Sequence, residues 1–345
     1  VVDARLDDFQ AAKERTAAAQ GLPAELSRAL GDFLAAGGKR LRPLLCVLGW
    51  HTAGRARGQA PAPVVQVAAS LEMFHAFCLI HDDIMDDSAT RRGRPTVHRA
   101  LAALHQGRAG RGAADRLGTS AAILVGDLAL AWADELLHTA DLTSAQLTAV
   151  LPLVDAMRTE VVYGQYLDLL TTGHTGEDVE VALRIARYKT ATYTCERPLQ
   201  VGAALAGASA AVRSALSAYA LPIGEAFQLR DDILGAFGDP AATGKSSWED
   251  LRDGKHTVLM ALALQRADAV QREALHTLVG DPALSEEGAA RIRDILTATG
   301  ALQAVEGMIA HRRARAQHAL EQAPFPPAAT AALRQLADAT TTRTT

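Results

Sequence analysis

Aromatic side chains are scarce in this sequence: three Trp, five Tyr and seven Phe make up 4% of 345 residues. With so little aromatic content and abundant alanine, helix propensity is strong throughout and strand propensity thin. Cysteine is scarce too. Cys46, Cys78 and Cys195 lie far apart, with no CxxC and no Cys/His spacing, which excludes a disulfide scaffold and a zinc site. They read as reduced thiols of a cytoplasmic protein. No window of about 20 residues is apolar and free of charge. The best candidate, Thr119 to Trp132, is interrupted by Asp127, so no membrane span is expected. The opening Val1-Val2-Asp3-Ala4-Arg5 has no basic segment leading into an apolar run, so no signal peptide is expected. The net charge of −4 gives no global positive field, which argues against nucleic acid as a partner. No internal repeat is visible, which excludes a solenoid.

What the sequence does have is helical periodicity. Val64, Val67, Ala68, Leu71, Phe74, Cys78 and Leu79 recur at three- and four-residue steps and mark one helix face. Ala122 to Leu137, Leu147 to Leu170, Val179 to Ala206 and Val258 to Arg266 read likewise. Gly- and Pro-rich breaks separate them, at Gly37-Gly38, Gly54 to Pro63, Gly107 to Gly112, Gly173 to Gly176, Gly238 to Gly244 and Gly280 to Pro282. No alternating strand run stands out. The expectation is an all-α, single-domain helical bundle over residues 1–345, with its site in a central cavity. Mobile stretches are expected at Arg55 to Pro63 and in a tail from Thr340 to Thr345.

Two acidic patches end apolar helical runs. The first is His81-Asp82-Asp83-Ile84-Met85-Asp86-Asp87. Asp82 and Asp86 stand four residues apart, which on a helix brings their Cβ atoms to about 5–6 Å, and Asp83 and Asp87 form a second such pair. Like charges at this spacing, at a helix C-terminus, are unfavourable, so a compensating cation is called for. Oxygen ligands without His or Cys suit Mg²⁺. The second patch, in Phe227-Gln228-Leu229-Arg230-Asp231-Asp232-Ile233-Leu234-Gly235, repeats the pattern of adjacent aspartates followed by an apolar pair. The expectation is that the two patches face each other and hold several Mg²⁺ ions around one diphosphate.

Basic clusters supply the matching donors. Gly37-Gly38-Lys39-Arg40-Leu41-Arg42-Pro43 sets three cations behind two glycines, which allow close backbone approach, and Arg grips phosphate with paired hydrogen bonds. Arg91-Arg92-Gly93-Arg94 follows the first acidic patch directly. Gly244-Lys245-Ser246 is not a nucleotide-binding loop, because Asp239 occupies the place of its first glycine.

Taken in order, GGKRLRP, LIHDDIMDDSATRRGRPTVH, GTSAAILVGDL, YKTATYT, FQLRDDILGAFGDPAATGK and DGKHTVL resemble the trans-prenyl diphosphate synthases, and among them the actinobacterial type of geranylgeranyl diphosphate synthase. The resemblance spans about Gly37 to Leu264. It implies that Asp82, Asp86 and Asp231 bind Mg²⁺, three ions with substrate present, with Asp83 and Asp232 supporting them. It implies that Lys39, Arg42, His75 and Arg92 hold the diphosphate of isopentenyl diphosphate. Arg91, Lys189, Lys245 and Lys255 would hold the allylic diphosphate, and Thr190 and Gln228 would line the allylic chain. A homodimer is implied by analogy. One departure stands out: the second motif ordinarily ends in a third aspartate, and here that place is Gly235. Trp248 and Glu249 also stand where smaller and aspartate residues are usual.

The reaction implied is ionisation of the allylic diphosphate, attack by the double bond of isopentenyl diphosphate, and loss of a proton. Phe77 and Cys78 precede Asp82 by five and four residues, which puts the Phe ring roughly 7.5 Å down the helix axis. A ring there would floor the tunnel that receives the growing chain. The analogy suggests a twenty-carbon product first and a fifteen-carbon product next. Two rival readings remain open at this point: a class I terpene cyclase, which needs no site for a second diphosphate, and a non-catalytic subunit of a heteromeric synthase.

Overall fold

The computed structural model describes residues 1–53, 58–173, 176–238 and 248–341. Helices occupy nearly all of them: α1 Val2–Ala19, α2 Glu25–Ala35, α3 Leu41–His51, α4 Ala62–Met85, α5 Val97–Ala109, α6 Arg111–His138, α7 Ser144–Thr171, α8 Val179–Ile185, α9 Arg197–Leu205 and α10 Ala210–Phe237. A π-helical stretch, Ala186–Glu196, joins α8 to α9. Further helices run over Glu249–Arg252, Val258–Arg266, Ala269–Leu278, Glu286–Ala298, Ala301–Gln322 and Pro327–Thr341. The all-α expectation holds. The chain packs as two compact units, Val1–Val47 with Gly58–Ser144, and Leu48–Arg57 with Ala145–Thr345.

In the first unit α4 is the central helix. It is apolar on nearly every side, and a helix of that kind stays in water only when other helices cover it. Val64, Val67, Met73, Phe74 and Ile80 are all buried. Each such side chain contributes about 1.5–3 kcal/mol by leaving water. Helix α6 lies along α4, and α1 closes the end through an edge-to-face contact of Phe9 with Trp132, 5.8 Å between ring centres. Gln66 ties the three together: it accepts from Arg5 Nη2 at 2.7 Å and donates to the Leu136 carbonyl at 2.9 Å. Among the described residues α4 is the helix long and apolar enough to cross a bilayer, but 67% of its apolar window is buried inside the protein. The apolar stretch Thr119 to Trp132 lies in α6, which is long enough but does not reach the same hydropathy with so few charges, so α4 replaces it as the most apolar helix.

One small sheet forms where no strand was expected. Thr90–Arg91 pairs antiparallel with Arg94–Pro95 across the two residues Arg92 and Gly93. Both have positive φ, 54° and 72°, as a two-residue type I′ hairpin requires. The ladder is too short for any periodicity to announce it.

In the second unit α10 is central. Leu216, Tyr219, Ile223, Leu229 and Ile233 are buried along it. The π-helical stretch presses so closely on α10 that a Cβ on Gly224 would strike the backbone of Ala191. On another face Arg230 forms paired bonds with Glu306, at 2.6 and 2.7 Å, and donates from Nε to the Thr341 carbonyl at 3.1 Å. Thr340 and Thr341, assigned above to a mobile tail, are the buried end of the last helix; residues 342–345 lie outside the described residues. Trp248, unexplained from the sequence, packs partly buried against the core formed by α10 and the helices after it.

Candidate active site

The end of α4 delivers the first acidic patch. Asp82 is largely buried, and the Asp86 amide still donates to the Asp82 carbonyl at 2.9 Å, so the four-residue relation between the two is helical. The pair expected from Asp83 and Asp87 does not form. The chain leaves the helix at Asp86, Asp87 turns to φ 49°, and its carboxylate goes to Arg99 at 2.7 Å. Asp83 is 1% exposed and faces inward, where Arg91 Nε donates to both its oxygens at 2.7 and 2.8 Å. Asp83 is thus the anchor of an arginine. Burial works against the charge of Arg91, but the bonds to Asp83 and the nearby Asp82 and Asp86 carboxylates raise its pKa further. The hairpin turn sets the neighbouring Arg92 apart from it: its guanidinium bonds the Gly37 carbonyl and lies 5.7 Å from the Phe33 ring centre. Gly38 stands at φ 144°, a backbone conformation that side chains rarely adopt, which is why the loop before Lys39 needs glycine there.

His75 lies at the focus of these cations. Its pKa falls well below the usual histidine value, first because it is enclosed and then because Arg42, Arg92, Arg91 and Arg40 surround it. Arg40 is itself held, by Glu72 and Asp3 at 2.7 Å each and by the Leu34 carbonyl at 2.8 Å. Lys39 is exposed at the rim. This arrangement concentrates positive charge around a neutral ring, which suits an anion. Nearby, Phe77 lies against Phe74, 5.4 Å between centres, and edge-on to His81 at 4.8 Å. Phe77 and Cys78 are only partly buried. A cavity of about 770 Å³ in this unit runs between α2, the hairpin and α5; Arg91 and Arg92 line it, but Asp82 and Asp86 do not.

In the second unit Asp168, Lys189, Thr190, Gln228, Asp231, Asp232, Asp250 and Lys255 line one small pocket of about 90 Å³. π-Helical insertions are rare and favour functional positions; this one carries both Lys189 and Thr190. Gly164 on α7 admits it, since a Cβ there would strike the Lys189 backbone. Lys189 Nζ donates to Asp168 at 2.6 Å. Thr190 donates to Gln228 Oε1 at 2.5 Å, and Gln228 Nε2 donates to Asp232 at 2.7 Å, so one chain of bonds orients all three. Burial, aided by the charges of Asp250, Asp231 and Asp168, pushes the Asp232 carboxyl up to about 8 against the opposing bond from Gln228. Lys245 and the side chain of Glu249 lie outside the described residues. Sequence reasoning missed Asp168 and Asp250. Asp168 sits in an ordinary-looking helix, and only packing brings it to Lys189.

Among the described residues no three carboxylate, histidine or cysteine side chains converge into a preformed metal cage. Mg²⁺ does not need one. It keeps several waters and is held by one or two carboxylates together with substrate phosphates. Asp82 with Asp86, and Asp231 with its acidic neighbours, offer the hard oxygen donors that such binding uses, so the residues present fit the ion.

Residues 23–296 match the polyprenyl synthetase family. The chain is 34% identical over 305 residues to geranylfarnesyl diphosphate synthase of Aeropyrum pernix, covering 88% of this chain and 89% of that protein. It is 34% identical over 266 residues to (2E,6E)-farnesyl diphosphate synthase of Mycobacterium tuberculosis, covering 76% of this chain and 68% of that one. Its fold superposes with a TM-score of 0.95 on the crystal structure of geranylgeranyl pyrophosphate synthase from Corynebacterium glutamicum complexed with isoprenyl diphosphate and magnesium, at 43% identity, covering 99% of this chain and 98% of that one. The chain belongs to the polyprenyl synthetase family, as its six ordered motifs implied.

Proposed function

We propose that this protein condenses isopentenyl diphosphate with an allylic diphosphate, with Mg²⁺ bound, and releases geranylgeranyl diphosphate. The observation that carries the reading is Arg91, buried and held by Asp83 with its Nη2 3.4 Å from Asp82. A fixed cation beside a carboxylate able to hold a metal is what the departure of a diphosphate requires, because negative charge develops there.

The roles follow from the surroundings of each residue. Asp82, Asp86 and Asp231 would hold Mg²⁺, three ions with substrate, which would supply positive charge beside the leaving diphosphate. Arg91, Lys189 and Lys255, with Lys245, grip the allylic diphosphate as its C–O bond breaks. Thr190 and Gln228 lie beside the allylic carbon, and their bond to Asp232 keeps the amide oriented. Lys39, Arg42, Arg92 and neutral His75 hold the second diphosphate. The double bond of isopentenyl diphosphate then attacks the allylic carbon, and the released diphosphate takes the proton. Holding the two substrates together supplies much of the rate.

The twenty-carbon product rests on Phe77 and on the likeness to the Corynebacterium glutamicum enzyme. Relatives at 34% identity carry farnesyl and geranylfarnesyl names, so fifteen and twenty-five carbons are the competing outcomes. Association as a homodimer is supported by apolar side chains exposed on α6, Leu117, Ile123 and Leu124, and on α7, Val162, Tyr163 and Tyr166. Work in the cytoplasm fits three free thiols. The deciding experiment is incubation of the purified chain, alone, with isopentenyl diphosphate, each allylic diphosphate and Mg²⁺, with products read by mass spectrometry. A C20 diphosphate is expected. Absence of any elongated product would sink the proposal, and cyclised hydrocarbon in its place would mark a terpene cyclase.

A further inference from the structure

The loop between α2 and α3 has an unusual backbone. Gly37, Gly38 and Arg40 stand at positive φ, at 86°, 144° and 46°. Glycine adopts such angles at no steric cost, and the first two positions use it. At the third position an L side chain is disfavoured, so glycine would be the easier residue there as well. The side chain of Arg40 therefore has to supply something that offsets the strain in its backbone.

Arg40 belongs to a run of three cations, and by type it is as fit to grip a phosphate as Lys39 or Arg42. Its nitrogens are committed elsewhere. Nε donates to Asp3 on α1 at 2.7 Å, Nη1 donates to Glu72 on α4 at 2.7 Å, and Nη2 donates to the Leu34 carbonyl at the end of α2 at 2.8 Å. Carbonyls in the last turn of a helix lack a partner within it, so the third bond answers a need of α2. Burial works against the charge of Arg40, yet the bonds to Glu72 and Asp3 leave its pKa raised. Of the four arginines that hold down the His75 pKa, Arg42 acts most strongly and Arg40 least, as fits a guanidinium turned to other partners. Glu72 is only 3% exposed, which a glutamate rarely is unless paired. Its Oε2 is buried without a hydrogen bond, a cost that an apolar residue in the same core would avoid. Packing alone gives no reason for a carboxylate here.

We propose that Arg40 and Glu72 are positioning residues for isopentenyl diphosphate: their bond fixes the loop so that Lys39 and Arg42, on either side of Arg40, present their charges to one diphosphate, while neither Arg40 nor Glu72 touches it. The proposal deepens the reading given under Proposed function and rests on it. The same loop is gripped a second time, because Arg92, assigned to the same diphosphate, bonds the Gly37 carbonyl. The helix that carries Arg42 also depends on Arg40. The Leu44 amide donates to the Arg40 carbonyl at 3.0 Å, so the backbone of Arg40 sets where α3 begins. One side chain thus joins α1, α2 and α4 to the segment that carries two of the diphosphate's cations.

The test compares Arg40→Gly, Arg40→Lys and Glu72→Gln with the unaltered full chain. Circular dichroism verifies folding, kinetics with each substrate varied in turn give KM and kcat, and hydrogen–deuterium exchange reads the amides of residues 37–42. Arg40→Gly suits the backbone and removes the three bonds. Arg40→Lys keeps the charge but lacks the planar fork that reaches three partners. Glu72→Gln keeps the size of the side chain and removes its charge. All three should raise KM for isopentenyl diphosphate by about 10–100-fold, the scale on which misplacing a binding group acts. KM for the allylic diphosphate should stay near its original value, and exchange in the loop should quicken. Asp3→Ala removes a partner that is 63% exposed and should change little, since exposed ion pairs contribute little. Recovery of KM in Arg40→Lys would mean that Arg40 acts as a charge on the substrate, and would overturn the proposal. So would an unchanged KM for isopentenyl diphosphate, unchanged exchange, or an equal rise in both KM values, which marks a general loss of structure. If the variants at 40 fail to fold, Glu72→Gln decides. If the unaltered chain elongates no substrate, the proposed function itself falls, and the exchange rates still decide whether the pair holds the loop.

Discussion

Arg91 and Asp83 form a buried pair in which one guanidinium nitrogen reaches both carboxylate oxygens, at 2.7 and 2.8 Å, within eight residues of chain. Asp83 is 1% exposed, so water cannot take the place of the arginine. Breaking a buried pair by removing one partner costs about 3–5 kcal/mol. Asp83→Ala should therefore lower the denaturation midpoint markedly and also lower kcat, since Arg91 loses its orientation. Urea unfolding and steady-state kinetics on the same preparation check this. A stable variant with full activity would show that the pair serves neither purpose.

Lys189 and Lys39 are assigned to different diphosphates, so their loss should separate in kinetics. Lys189→Ala leaves Asp168 without its cation and should raise KM for the allylic substrate, with a fall in kcat of about 10²–10³-fold if the interaction strengthens as charge develops. Lys39→Ala should raise KM for isopentenyl diphosphate and spare that for the allylic substrate. Varying each substrate at a saturating level of the other distinguishes the two. Identical effects of both variants would contradict the assignment.

Phe77 contacts Phe74 on one side and His81 on the other, on a helix that is otherwise packed with apolar residues. If its ring floors the tunnel, Phe77→Ala should shift the product distribution toward C25 and longer. Phe77→Tyr, which keeps the ring, should leave it where it is. Mass spectra of products from a farnesyl starter answer the question, and an unchanged pattern in the alanine variant rejects the floor.

His75 gives a pH signature. Its folded pKa is depressed by enclosure and by four arginines, whereas in the unfolded chain it titrates near the ordinary value of about 6.5. Below that pH the unfolded state takes up a proton that the native state refuses, so stability falls as pH drops below about 6.5 and is level above it. His75→Gln removes that proton and should flatten this part of the curve. Denaturant unfolding between about pH 5 and pH 7.5 compares the two proteins. Parallel curves would show that His75 does not contribute.

The exposed apolar face of α6 is expected to lie in a homodimer interface. Leu124 is 55% exposed, an unfavourable position for leucine on a free surface. Leu124→Glu should convert the protein to monomer in analytical ultracentrifugation, with its circular dichroism spectrum retained. An unaltered protein that sediments as a monomer would remove the reason for the face.

The sequence by itself determined the all-helical class, because a chain rich in alanine and poor in aromatics, with apolar residues at three- and four-residue steps, favours helix along nearly all of its length. It also determined the family, because six motifs in fixed order leave little freedom. Helix spacing made the Asp82 and Asp86 relation legible, since four residues on one helix is a local fact. Only the tertiary structure decided which carboxylate meets which cation. Asp83 turned inward to Arg91, Asp87 left the helix for Arg99, and Asp168 reached Lys189 from a separate helix. The same holds for Gly235. In the sequence it is a missing aspartate, whereas in the folded chain the Asp250 side chain lies against it. The physical reason is one of range: periodicity and spacing speak for residues a turn or two apart, while pairings across many residues depend on how closely helices approach, and that is set by side-chain volume in the core.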